Sequence, residues 1–106
     1  MSVDMASIGF KPQSIQNAVA IKVVGNSMMG EHIVDGDIAI IERGADARSG
    51  QIVVAYVDGE MTLKTLIVEK NKTFLRPANP KFKDIHPSFE MVIYGVFRAL
   101  IRKTRD

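Results

Sequence analysis

Gln51-Ile52-Val53-Val54-Ala55-Tyr56-Val57-Asp58-Gly59-Glu60-Met61-Thr62-Leu63-Lys64-Thr65-Leu66-Ile67-Val68 reads as two strands folded back on each other. Both arms are rich in β-branched residues, and Asp58-Gly59 supplies the pair that tolerates positive φ at a two-residue hairpin turn. The first arm, Gln51 to Val57, shows little polar alternation, which implies cover on both faces. In the second arm a period of two puts Glu60, Thr62, Lys64, Leu66 and Val68 on one face and Met61, Leu63, Thr65 and Ile67 on the other. Lys64 therefore points the same way as Leu66 and Val68. A lysine in that company either snorkels its amine to water or is partly desolvated.

Outward from the hairpin the pattern stays β. Upstream, Ala18 to Val24 reads as a strand broken by Gly25 to Gly30, Ile33 to Asp37 as a turn, Ile38 to Glu42 as a strand and Arg43 to Gly50 as a loop. Downstream, Glu69 to Lys72 turns the chain and Thr73 to Arg76 can pair back, before the two prolines of Pro77-Ala78-Asn79-Pro80 forbid regular structure. Lys81 to Pro87 reads as a loop anchored by Ile85. Phe89 to Lys103 reads as one bent strand, or two short ones with a bulge, around Gly95, with a helix as the competing assignment. Residues 1 to 17 form an irregular arm that Phe10 and Pro12 could pin, and residues 18 to 106 form the domain. The expected class is mostly β: a compact antiparallel domain with little helix.

Composition narrows the function classes. A chain of 106 residues has room for one real core, and 46% hydrophobic with 25% charged residues is a globular balance. No run approaches a bilayer span and no secretion signal opens the chain, so a cytoplasmic location and no membrane contact are expected. With no cysteine and only His32 and His86 as imidazoles, no metal site or cofactor is called for. A net charge of +2 does not argue for nucleic acid. Arg98, Arg102, Lys103 and Arg105 do cluster, unopposed until Asp106, and read as a solvated end, with a phosphate-binding patch as the alternative.

The chemistry rests on Val24-Gly25-Asn26-Ser27-Met28-Met29-Gly30 taken with Lys64. Ser27 follows a strand end, where backbone can turn sharply and present a side chain and free amides. A neutral lysine amine can take the proton of a serine hydroxyl, provided that desolvation pulls its pKa below the usual value of about 10.4. The competing reading makes Ser27 plain turn chemistry and Lys64 a snorkelling surface residue. Met28 and Met29 read as core plugs, Met28 alternatively as a cleft wall, and His32 and His86 as exposed loop residues. Asp35 and Asp37 read as turn formers.

Gly25-Asn26-Ser27-Met28, Ile33-Val34-Asp35-Gly36-Asp37, Gly50 to Ala55 leading to Asp58 through Lys64, and Leu75-Arg76-Pro77-Ala78-Asn79-Pro80 together resemble the catalytic domain of the LexA/UmuD-type self-cleaving SOS-response proteins, the S24 peptidase group. The resemblance runs from about Val19 to Arg102. It implies a LexA/signal-peptidase-like β fold with Ser27 as nucleophile and Lys64 as general base. It also implies an oxyanion site and cleft at Asn26 and Met28, a homodimer, and cleavage of an Ala-Gly or Cys-Gly bond favoured by a RecA filament on single-stranded DNA. The chain holds no such pair, so it looks like a processed or truncated form. Thr65 stands where the family often has arginine. Pro77 to Pro80 and the ending Gly95 to Lys103 lean towards UmuD, an accessory subunit of a UmuC-like translesion polymerase. The alternatives are the self-cleavage and dimerisation domain of a LexA-like repressor, or a non-catalytic β-barrel binding module. Direct DNA binding by this chain alone is not expected.

Overall fold

The structure, a computed structural model, describes residues 17 to 103; the expected arm at 1 to 17 lies outside them except for Asn17. Six strands form one antiparallel sheet: β1 (Ala18–Lys22), β2 (Ile38–Arg43), β3 (Ile52–Val57), β4 (Glu60–Glu69), β5 (Lys72–Arg76) and β6 (Met91–Ile101). The only helical element among the described residues is a single 3-10 turn, Met29–Glu31. The expected mostly β class therefore holds, and the helix considered for 89 to 103 does not form. The strand order is β1-β2-β6-β3-β4-β5, so the last strand in sequence lies in the middle of the sheet.

The hairpin that opened the sequence reading pairs Val57 with Glu60 through Ile52 with Thr65. Asp58 and Gly59 both take positive φ, 48° and 92°, as a tight turn matched to strand twist requires. Strand β3 packs on both faces, as its composition implied: Val54 belongs to one apolar cluster with Val23, Met28, Ile33, Ala39 and Ile41. Val53, Ala55 and Val57 belong to a second cluster with Leu66, Leu75 and Val96. Tyr56 is the exception and stays exposed. Ile85 anchors its loop as expected, bridging to Leu75 in the second cluster.

Strand β6 carries two irregularities rather than one. Against β3 the register steps from Gly95 to Ile93, skipping Tyr94; against β2 it steps from Ala99 to Phe97, skipping Arg98. An extra residue bends a strand and increases its twist. The glycine at the first step is a packing requirement, since a Cβ at Gly95 would lie 2.5 Å from the Glu42 carbonyl oxygen and 2.6 Å from Ile41 Cγ2. The bending has a large effect. In a flat sheet β1 and β4 would stand four spacings apart, about 19 Å at ~4.8 Å each. Here residues of β1, β2, β3 and β4 line one cleft of about 200 Å³, which requires the sheet to curl back on itself.

Two expectations fail. Met29 is no core plug: it is 49% exposed, because the 3-10 turn that begins there points it away from the cluster that buries Met28. The basic end is not unopposed. Arg98 Nε donates to Glu42 at 2.8 Å, and Arg102 forms a two-pronged pair with Asp37. Arg105 lies outside the described residues.

Candidate active site

Ser27 is delivered by the segment that leaves β1 and crosses to the far side of the curled sheet. Three bonds dock this segment on the loop after β5: Ala78 N to Ser27 O at 2.8 Å, Gly30 N to Ala78 O at 2.6 Å, and Asn79 Nδ2 to Asn26 O at 2.8 Å. Gly30 makes this approach possible, because a Cβ there would sit 2.6 Å from the Ala78 oxygen. On the other flank the Asp35 carboxylate accepts from Gly25 N at 2.8 Å, and the Asp37 carboxylate accepts from Val34 N at 2.9 Å. Both aspartates shape the turn, as expected.

Lys64 comes from the middle of β4, opposite Val53, and is only 8% exposed. Its Nζ lies 2.8 Å from Ser27 Oγ, 2.6 Å from Thr62 Oγ1 and 3.1 Å from the Leu63 carbonyl. Residues 37 positions apart in the chain thus share a hydrogen bond. The three partners suit a neutral amine. Leu63 O can only accept and Thr62 Oγ1 accepts readily, which uses the two N–H bonds and leaves the lone pair facing the Ser27 hydroxyl. Burial pushes the Lys64 amine below its usual pKa, since the charged form loses solvation. No carboxylate counters that effect: the cleft is lined by Ile21 to Gly25, Ser27, Met28, Ala39, Val54 and Met61 to Lys64, and Lys22 is its other charged member.

Of the residues expected at the oxyanion site and cleft, Met28 lines the cleft and is buried at 2% exposure. Asn26 is exposed and does not line it; its carbonyl, bonded to Asn79, helps to hold the turn. The backbone amides of Ser27 and Met28 donate in none of the hydrogen bonds among the described residues. His32 and His86 are exposed as expected, and His86 stacks on Phe74 with ring centroids 4.7 Å apart.

The sequence reading missed Thr62 and the Ala78-Asn79 dock. Thr62 was findable, since it lies two residues before Lys64 on the same strand face. The dock carried no local signal, because its two sides are about 50 residues apart in a chain whose folding alone brings them together.

A model of the Peptidase S24-like family matches residues 4–98. The LexA repressor of Verrucomicrobium spinosum is 41% identical over 102 residues, which cover 96% of this chain and 49% of the relative. The LexA repressor of Stenotrophomonas maltophilia is 44% identical over 87 residues, 80% of this chain and 41% of the relative. LexA repressor 2 of Pseudomonas putida is 45% identical over 85 residues, 78% of this chain and 42% of the relative. The chain spans half or less of the length of the curated relatives it matches. Among the described residues no helix is long and apolar enough to cross a membrane.

Proposed function

This chain belongs to the peptidase S24-like family, and from that premise we propose that it is the self-cleavage and dimerisation domain of a LexA-like repressor, with Ser27 as nucleophile and Lys64 as general base. The observation that carries the proposal is the 2.8 Å Lys64 Nζ–Ser27 Oγ contact in an apolar cleft free of carboxylates. The relatives quoted above all bear the repressor's name, which favours this reading over the UmuD-like subunit suggested by Pro77 to Pro80 and the strand ending. With that shift the UmuC-like polymerase loses its support as a partner. A homodimer and stimulation by a RecA filament remain part of the proposal.

The chemistry follows from the geometry. The Lys64 lone pair takes the hydroxyl proton as Ser27 Oγ attacks a peptide carbonyl carbon presented in the cleft. The oxyanion that forms is within the reach of the Ser27 turn, whose free amides can donate to it. The ammonium returns the proton to the departing amine, leaving an acyl ester on Ser27. A water then repeats the sequence with the same base and restores both side chains. Thr62 and the Leu63 carbonyl orient the amine throughout.

The test is an intramolecular one. With an amino-terminal arm carrying an Ala-Gly bond appended, cleavage accelerates as pH rises and Lys64 deprotonates, and it is lost in Ser27→Ala and Lys64→Ala. Cleavage surviving in either variant removes the assignment. Salt-sensitive binding of single strands by a chain whose Lys64 titrates at the ordinary value would favour the non-catalytic binding module instead.

A further inference from the structure

Arg102, at the end of β6, touches nothing in the cleft, yet its guanidinium gathers three acceptors. Nε donates to Asp37 Oδ1 at 2.8 Å, and Nη2 donates to Asp37 Oδ2 and to the His32 carbonyl, each at 2.9 Å. Asp37 is 2% exposed, a depth at which a carboxylate without its cation is strongly destabilising. His32 closes the 3-10 turn in the left-handed region, φ 60°, which costs a non-glycine residue free energy. One side chain therefore satisfies a buried charge and fixes the carbonyl of a strained residue.

The strained residue is tied to the nucleophile. His32 N donates to Met29 O at 2.8 Å, while Glu31 N and Ile33 N both donate to Met28 O, at 3.0 and 3.3 Å. Met28 is the residue after Ser27. The serine turn is thus gripped from two sides, by Ala78-Asn79 on one and by Arg102 through Asp37 and His32 on the other. We propose that Arg102 is a positioning residue for Ser27: it holds the far flank of the serine turn so that Oγ stays in register with Lys64 Nζ.

This inference rests on the proposed Ser27–Lys64 activity for its consequence, though not for its geometry. Released on the Arg102 side, the turn can drift from β4. Ser27 Oγ then leaves the amine, and Lys64 loses part of the cover that desolvates it. Lys22 and Lys64 are the charged groups lining the cleft, so no carboxylate there can mimic that shift.

The experiment compares Arg102→Ala, Arg102→Lys and Arg98→Ala with the unsubstituted chain. Arg98 is the control, because it makes an ion pair from the same strand to Glu42 and has no bond to the serine turn. Two readouts are taken: the NMR titration of the Lys64 amine in the 106-residue chain, and the pH profile of cleavage in the arm-extended chain. In Arg102→Ala the Lys64 midpoint moves up, and cleavage slows on the order of 10- to 100-fold for a displacement near 1 Å. Arg102→Lys keeps the charge but loses the planar fork that grips both Asp37 oxygens and the His32 carbonyl together, so it falls between. Arg98→Ala matches the unsubstituted chain in both. A role in stability alone would lower the folded fraction without moving the midpoint. If Arg102→Ala does not fold, Arg102→Lys decides, and an unshifted Lys64 midpoint in the folded variant overturns the inference. Absence of Ser27-dependent cleavage in the unsubstituted extended chain defeats the proposed function instead, and leaves the titration to judge the tether.

Discussion

Replacing Gly30 by alanine tests the dock that delivers Ser27. The new Cβ would start 2.6 Å from the Ala78 oxygen, and ordinary contact begins at 3.4 Å, so turn and loop must separate by about 0.8 Å (3.4 minus 2.6). The obstacle is backbone, which cannot swing aside as a side-chain tip would. The separation strains the Gly30–Ala78 and Ala78–Ser27 bonds, each worth about 1 kcal/mol net, so a loss of roughly 1–2 kcal/mol follows. If the movement is carried to the hydroxyl, the 2.8 Å contact with Lys64 opens to about 3.6 Å (2.8 plus 0.8), beyond hydrogen-bond reach. Cleavage in the arm-extended chain should then fall on the order of 100-fold. Urea denaturation followed by circular dichroism measures the first effect, and single-turnover cleavage well below the denaturation midpoint measures the second. A Gly30→Ala protein with unchanged stability and unchanged rate would refute the claim that this approach positions the nucleophile.

The depressed Lys64 pKa also has a stability signature. The unfolded chain binds the proton more tightly, so stability rises as pH climbs from the folded pKa to about 10.4, falls as pH drops back through that window, and is level on either side of it. Lys64→Met removes the titrating group, and its denaturation midpoint should lose this slope; an unchanged slope would mean another group is responsible. Gly95→Ala forces a methyl against the Glu42 carbonyl and Ile41 at the β6 bulge, with a loss of about 1–3 kcal/mol read by thermal melting. Asp58 accepts from the amides of Ser88, Phe89 and Glu90 at 2.9–3.0 Å, bonds that hold its carboxyl below the usual range. In Asp58→Ala those amides should exchange hydrogen faster at a given pH, and in the unsubstituted chain their protection relative to the intrinsic rate should fall as pH drops through the depressed carboxyl pKa. Equal exchange rates in both proteins would show the loop is held by something else.

Much of this was legible because it is local. The hairpin at Asp58-Gly59, the strand read from Ala18 to Val24, which ends at Lys22, and the return of β5 follow from β-branched runs and turn pairs that need no distant partner. Lys64 was singled out for the same reason, as a charge on an apolar strand face. The structure's additions are all long-range. Arg102 looked like one of several loose cations because Asp37, its partner, lies 65 positions away. One bulge was suggested by Gly95, whereas the second, at Arg98, arises from fitting β6 to β2 and leaves no mark in composition. Met29 resembles Met28 as a letter, and only the 3-10 turn sends one inward and the other out.

The place of β6 between β2 and β3 governs when the sheet can exist at all. During synthesis the first two strands and the following three can form their hairpins, but the two blocks have no shared edge until β6 leaves the ribosome and slots between them. Before that moment the serine-bearing and lysine-bearing blocks share no strand pairing and meet through apolar packing and the bonds to Ala78 and Asn79. The strand pairing that unites the Ser27 and Lys64 blocks in one sheet is therefore the last to be completed in chain order, although the groups it brings together were both made long before.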